Sequence, residues 1–183
     1  MRLLERVDEA VVVASFLRAE LASDRFGGKV RAAVPDERLI TKADVRDVGA
    51  NGRRRHALDS YRGEYLGDLF ARVSTWWRAE LAPSEVLAIR YIAWDYWLEI
   101  TKGTRLPRDG AERWLADGSD DRYRPGAEPM IVIRAGPADR LCVVEGHVRL
   151  TALAMHPESI PRRLGVFLGE GEAVRGWPSY GAG

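Results

Sequence analysis

Cysteine is nearly absent from this chain, with Cys142 the only one in 183 residues. A lone thiol excludes an intramolecular disulfide and any cysteine-based zinc site, and it fits a reducing compartment. Histidine is scarce too: three widely spaced residues offer no pair at metal-ligand spacing. Charge of either sign is not in excess, since 28 basic residues meet 27 acidic ones for a net +1. That balance supplies no field for nucleic acid or an anionic membrane surface. The local runs Arg53-Arg54-Arg55 and Arg162-Arg163 read as solvated surface. No apolar run approaches the roughly 20 residues of a membrane helix. The N-terminal segment carries Glu5, Asp8 and Glu9 where a signal peptide has a basic region. A cytoplasmic protein is expected, with neither nucleic acid nor membrane as its partner.

Hydrophobic residues make up 46% of the chain and charged residues 30%, the balance of an ordinary globular protein. One domain over residues 1–183 is expected, mainly helical over 1–120 and β-rich over 121–183. Leu4, Val7, Val11, Ala14 and Leu21 repeat at helical steps and predict one amphipathic helix over 1–23. Residues 24–58 are broken by Gly27-Gly28, Pro35, Gly49 and Asn51-Gly52. They read as loop with a short strand near Arg38–Thr41. Leu66, Phe70, Val73, Trp77 and Leu81 predict a second helix. A third is expected from Glu85 to Thr101, capped by Ser84 and stopped by Gly103. Trp76, Trp77, Trp94 and Trp97 then fall on helices at core spacing, and a short helix is expected near Ala111–Ala116 in polar, turn-rich sequence. From Met130 the pattern turns to β. MIVIRA and RLCVVE form a hairpin around Gly136–Asp139, a helix follows over His147–Met155, and RRLGVFLG is a third strand. The fold class is α+β: a helical N-terminal half on a small mixed sheet, with a β-β-α-β C-terminal half. The glycine-rich tail is anchored by Trp177 and Tyr180, either folded back on the C-terminal half or covering a ligand.

The chemistry concentrates in Leu141–Met155, where an apolar strand stops at Glu145-Gly146 and a helix begins with His147 and Arg149 in its first turn. Such a turn aims unsatisfied backbone N–H groups and the positive end of the helix dipole at one place, and an arginine beside it suits phosphate or carboxylate. The strand–Glu–Gly–His–x–Arg–helix segment resembles the signature of the ParB/sulfiredoxin-like superfamily. The resemblance runs from Pro129 to Gly169 and includes the PMIVI strand, Gly146, Arg149, Ala152 and the IPRRLGVFLG strand. It implies that Gly146 lets the backbone approach a phosphate and Arg149 neutralises it. In sulfiredoxins a reactive cysteine follows the glycine; His147 stands there instead, so that chemistry is excluded, and Cys142 reads as a small core residue. In a kinase-like branch an acid precedes the glycine and a histidine follows it, which Glu145-Gly146-His147 resembles. Glu145 is then a metal ligand or base. With fourteen residues after Gly169, no helix-turn-helix is expected there.

Thr101-Lys-Gly-Thr-Arg105 is the second candidate. Alone it reads as a glycine-capped helix end; function there requires the fold to bring Thr104 and Arg105 to the Glu145–Arg149 turn. The leading expectation is a nucleotide- or phosphate-binding protein, working with ATP or CTP and Mg²⁺ as an NTPase or small-molecule kinase. Its catalytic residues are Glu145 and His147, and its phosphate-binding residues Gly146, Arg149, Thr104 and Arg105. The rival is a non-catalytic regulatory or interaction protein whose tryptophan-rich half forms a partner or homodimer surface. A nuclease comes third, disfavoured by the neutral charge.

Overall fold

A computed structural model describes residues 1–116 and 128–181. The boundary expected at 120/121, and the rest of the polar stretch before Glu128, lie outside them. Where one domain is expected, the chain divides into two compact units: residues 7–71, and residues 1–6 with 72–183.

The larger unit is a mixed α/β fold around a five-stranded sheet. Its strands are β1 (Arg2–Val7), β2 (Thr75–Leu81), β3 (Met130–Arg134), β4 (Cys142–Glu145) and β5 (Leu164–Glu170), in the order β1-β2-β5-β3-β4. β5 runs antiparallel to β2 and parallel to β3, and β4 is antiparallel to β3. β3 is buried along its whole length, as its unbroken MIVI run requires of a central strand. Arg134 and Glu170 face each other in register on β3 and β5, joined at 2.6 Å. The outer strand β1 is exposed, and its charged residues pair across the ladder: Glu5 with Arg78 at 2.9 Å, Arg6 donating to Thr75 Oγ1 at 3.0 Å. Charges of this kind discourage further strands from adding to the edge.

The expected hairpin is present, as are the helix over His147–Met155 and the third strand, so the β-β-α-β order stands. Three other expectations are corrected. The helix expected through Val73, Trp77 and Leu81 is strand β2, so the residues before 120 hold two of the five strands. Gly67 at φ +51° ends the preceding helix, and Trp76 and Trp77 gain a full ladder with Leu168 and Gly169 of β5. Tertiary pairing outweighs the helical spacing here. The helix expected over Glu85–Thr101 is two short ones, Pro83–Leu87 and Asp95–Ile100. Between them Arg90 spends its N–H on the Leu141 carbonyl and its carbonyl on the Val143 N–H, so no helical ladder can pass through it. Trp94 is consequently an exposed helix-capping residue rather than core. The helix expected to begin at residue 1 begins at Glu9, where Asp8 caps it by accepting from the Ala10 N–H.

The smaller unit, residues 7–71, overturns the expected loop over 24–58. It contains α1 (Glu9–Leu21), α2 (Gly27–Ala33), α3 (Arg38–Thr41, expected as strand) and α4 (Val48–Leu66). The breakers Gly49, Asn51 and Gly52 all sit near the start of α4, where Gly49 has no ladder partner to lose and the Asn51 N–H already closes the first helical bond, to the Asp47 carbonyl at 2.9 Å. Asp47 caps that end by accepting from the Ala50 N–H at 2.9 Å. One member of the arginine run is not solvated: Arg54 is fully buried, donating to the carbonyls of Leu39 at 2.9 Å and Asp44 at 2.8 Å and to the Asn51 side chain. It ties the irregular 34–47 segment to α4. Replacing Arg54 with Ala removes charge-assisted bonds to two part-buried carbonyls, each worth on the order of 1.5–3 kcal/mol, so urea unfolding of the variant is expected to show a loss of about 3 kcal/mol. A loss below about 1 kcal/mol contradicts this role.

Candidate functional site

After α5 (Leu69–Arg72), which ends the smaller unit, the helices of the larger unit are α6 (Pro83–Leu87), α7 (Asp95–Ile100), α8 (Pro107–Ala116) and α9 (His147–Met155). The turn between β4 and α9 is built around Gly146. Its φ is +99°, a left-handed conformation that side-chain-bearing residues rarely adopt. A Cβ there meets Met130 Cγ at 2.6 Å, so the glycine is required twice over, by dihedral and by its approach to β3. Val143 and Val144 are buried behind the turn and Glu145 is half-buried at its edge. The first N–H of α9 to find a helical acceptor is that of Leu150, which donates to the Gly146 carbonyl at 2.8 Å. The first-turn amides ahead of it therefore point out of the helix end, beside the positive pole of its dipole.

His147 is held by aromatic stacking. Its ring lies 5.1 Å from Trp97 and 6.2 Å from Tyr91, nearly parallel to both, and Tyr91 and Trp97 stack at 4.2 Å. Below the stack the Tyr91 and Thr151 hydroxyls are 2.6 Å apart, and Thr151 Oγ1 donates to the His147 carbonyl at 2.9 Å. Thr151 has one hydroxyl hydrogen, so Tyr91 is the donor in this chain. Burial pushes the Tyr91 phenol well above its ordinary range and keeps it protonated. Tyr91, Trp97 and Thr151 thus position the first turn of α9. Tyr91 falls within the segment expected as one helix, and its role here has no local signal, because the three lie up to sixty positions apart. Arg149 sits in the same turn, half-exposed. One Nη donates to the Glu128 carbonyl, not to Glu145 or Glu158, and the other N–H groups have no acceptor among the described residues.

Thr104 and Arg105 are not brought to this turn. Thr104 bonds the Thr101 carbonyl and Asp109, and accepts from the Leu106 N–H, capping the start of α8. Arg105, at φ +61° and only 6% exposed, is a tie between segments: its Nε donates to the Tyr91 carbonyl at 2.7 Å and its Nη2 to the Tyr180 carbonyl at 2.6 Å and to Cys142 Sγ at 3.5 Å. It meets β4 at Cys142, about 10 Å of strand before Glu145. Among the described residues neither Thr104 nor Arg105 makes a side-chain hydrogen bond to Glu145–Arg149, where a joint pocket is expected. Cys142 is the core residue expected: burial pushes its thiol up to about 12, which leaves it inert as a nucleophile near neutral pH. The tail folds back on this unit, with Trp177 buried and the Ala93 N–H donating to the Ser179 carbonyl at 2.8 Å.

Among the described residues no three His, Cys, Asp or Glu side chains cluster to hold a metal ion. No helix among them is long and apolar enough to cross a membrane. Gly146→Ala is expected to lower stability by about 2–4 kcal/mol in chemical denaturation, through the strained φ and the clash with Met130. A change within about 0.5 kcal/mol contradicts the geometry described. Compared with known proteins, the chain matches no family model, no curated protein and no solved structure.

Proposed function

We propose that the β4–Gly146–α9 turn binds the phosphate of a nucleotide or similar small phosphate compound, in a scaffold of the ParB/sulfiredoxin-like kind. One observation carries the reading. A glycine that cannot be replaced without clash ends an edge strand and opens a helix, whose first turn offers free-ended amides and also carries Arg149. Backbone N–H groups and a helix dipole stabilise an anion without relying on net protein charge, so the overall +1 is no obstacle. In the ligand-bound state Gly146 leaves room for a phosphate oxygen against the backbone. Arg149 neutralises it, and His147, fixed by Trp97 and Tyr91, presents its imidazole as a hydrogen-bond partner.

The catalytic form of this reading is an NTPase or small-molecule kinase using ATP or CTP with Mg²⁺. Glu145 is the carboxylate next to the turn. A single carboxylate suits a Mg²⁺ ion held mainly by phosphate oxygens and water better than a resident metal. Glu145 is then the metal ligand or the base that receives a proton from the attacking hydroxyl or water.

A second reading, the non-catalytic regulatory or interaction protein, is favoured by two facts. Thr104 and Arg105 are committed to structural bonds and cannot complete a catalytic pocket at the turn. Trp94, Tyr96 and Val148 are 43–50% exposed, an apolar group in the larger unit suited to a partner or a second copy. Calorimetric titration with ATP, ADP and CTP in the presence of Mg²⁺, with phosphate release followed in parallel, separates the two. Binding by at least one nucleotide, weakened about tenfold or more in Arg149→Ala, is expected for either reading. Phosphate release that is lost in Glu145→Gln selects the enzyme; binding without release selects the regulatory protein. Absence of binding, or equal binding by Arg149→Ala, overturns the proposal.

A further inference from the structure

The other end of β4 holds a second concentration of positive charge that no part of the proposed turn uses. A cavity of about 340 Å³ lies beside Leu141 and Cys142, lined by the side chains of Arg90, Arg105, Arg140 and Arg175 and closed by Tyr180 and Gly181 of the tail. Against these four arginines the lining holds one carboxylate, Asp139, which is already paired with Arg175 at 2.7 Å. Arg105 is fixed deep in the wall by its bonds to Tyr91, Cys142 and Tyr180. Arg90 is held at the backbone by both its N–H and its carbonyl, yet among the described residues its guanidinium has no hydrogen-bond or ion-pair partner, and its Nε is buried. Burial and the like charges of Arg140 and Arg105 lower its affinity for the proton.

Buried cationic donors without acceptors are costly, and proteins retain them where a ligand supplies the acceptors. Guanidinium forks match carboxylate and phosphate oxygens in pairs, which singles out the class of ligand. We infer that this cavity binds a small oxyanion carrying two or more negative charges, seated on Arg90 and Arg105 and covered from the rim by Arg140. A phosphoanhydride and a polycarboxylate share this chemistry. The volume accommodates either, and is too small for a folded partner. The Tyr180 hydroxyl donates to the Arg140 carbonyl at 3.1 Å and accepts from the Ala135 N–H at 3.3 Å, so the tail is a fixed wall of the site. The inference is independent of the α9 turn.

Calorimetric titration of the full chain with inorganic pyrophosphate and, separately, citrate tests it, at ionic strength held constant with sodium chloride. Both are run on wild type and on Arg149→Ala, which removes any contribution of the α9 turn. Saturable one-to-one binding of at least one anion is expected in Arg149→Ala, and which anion binds identifies the phosphate or carboxylate source. Arg90→Gln and the solvent-facing Arg140→Gln, each made in that background, are expected to weaken it about tenfold or more. Arg140 is exposed, so its variant stays informative if loss of Arg90 disturbs folding. No saturable binding in Arg149→Ala, or binding that both glutamine variants retain in full, overturns the inference.

Discussion

The short strand β4 is the constraint on which the larger unit depends. Four residues, Cys142–Glu145, are hydrogen-bonded on one side to β3 and on the other to the backbone of Arg90. Without the second set of bonds β4 is a marginal edge strand, and its ends are free to fray. With them, each end becomes a fixed point. At one, Gly146 turns the chain into α9; at the other, Cys142 meets the Arg105 side chain that draws in the tail and the Tyr91 segment. The single bridging residue Arg90 explains why the Glu85–Thr101 segment breaks into two short helices. It also explains why Tyr91 lands under His147.

The two proposed sites, one at each end of β4, would attract anions by different physics. At α9 the attraction would come from oriented backbone dipoles and the single arginine of the first turn. At the Cys142 end it would come from several guanidinium groups brought to one cavity, of which Arg105 is fixed by burial and hydrogen bonds. That arrangement selects for charge number and oxygen geometry more than for shape. A near-zero net charge is compatible with both, because each acts over a few ångströms and neither relies on the long-range field.

What was legible in the sequence follows the range of the interactions responsible. The β3–β4 hairpin, α9, its His156 end and the demand for glycine at 146 are local: a turn of Gly136–Asp139, an alternation, one left-handed residue. The inert Cys142 and the folded-back tail were legible for the same reason, as an apolar thiol in an apolar run and a buried aromatic among glycines. The strand at Trp76-Trp77 was not, since its helical spacing is genuine and only the distant ladder of β5 overrules it. The helices over 27–66 were hidden by glycines that matter little in a first turn and by a buried Arg54 that composition marks as surface. Thr104 and Arg105 are plausible phosphate ligands as residue types. Their actual partners, Asp109, Tyr91 and Tyr180, depend on a loop path that local signals do not encode. The cluster of Arg90, Arg140 and Arg175 left no local trace at all, because its members are brought together by topology alone.

The most direct test of the central claim is a backbone amide titration by ¹H–¹⁵N NMR with Mg²⁺–nucleotide. The account predicts that the largest shifts fall on the N–H groups of Gly146, His147, Val148 and Arg149, moving together along one saturable curve. Saturable shifts that leave these four amides unmoved, or no shifts at all, contradict it.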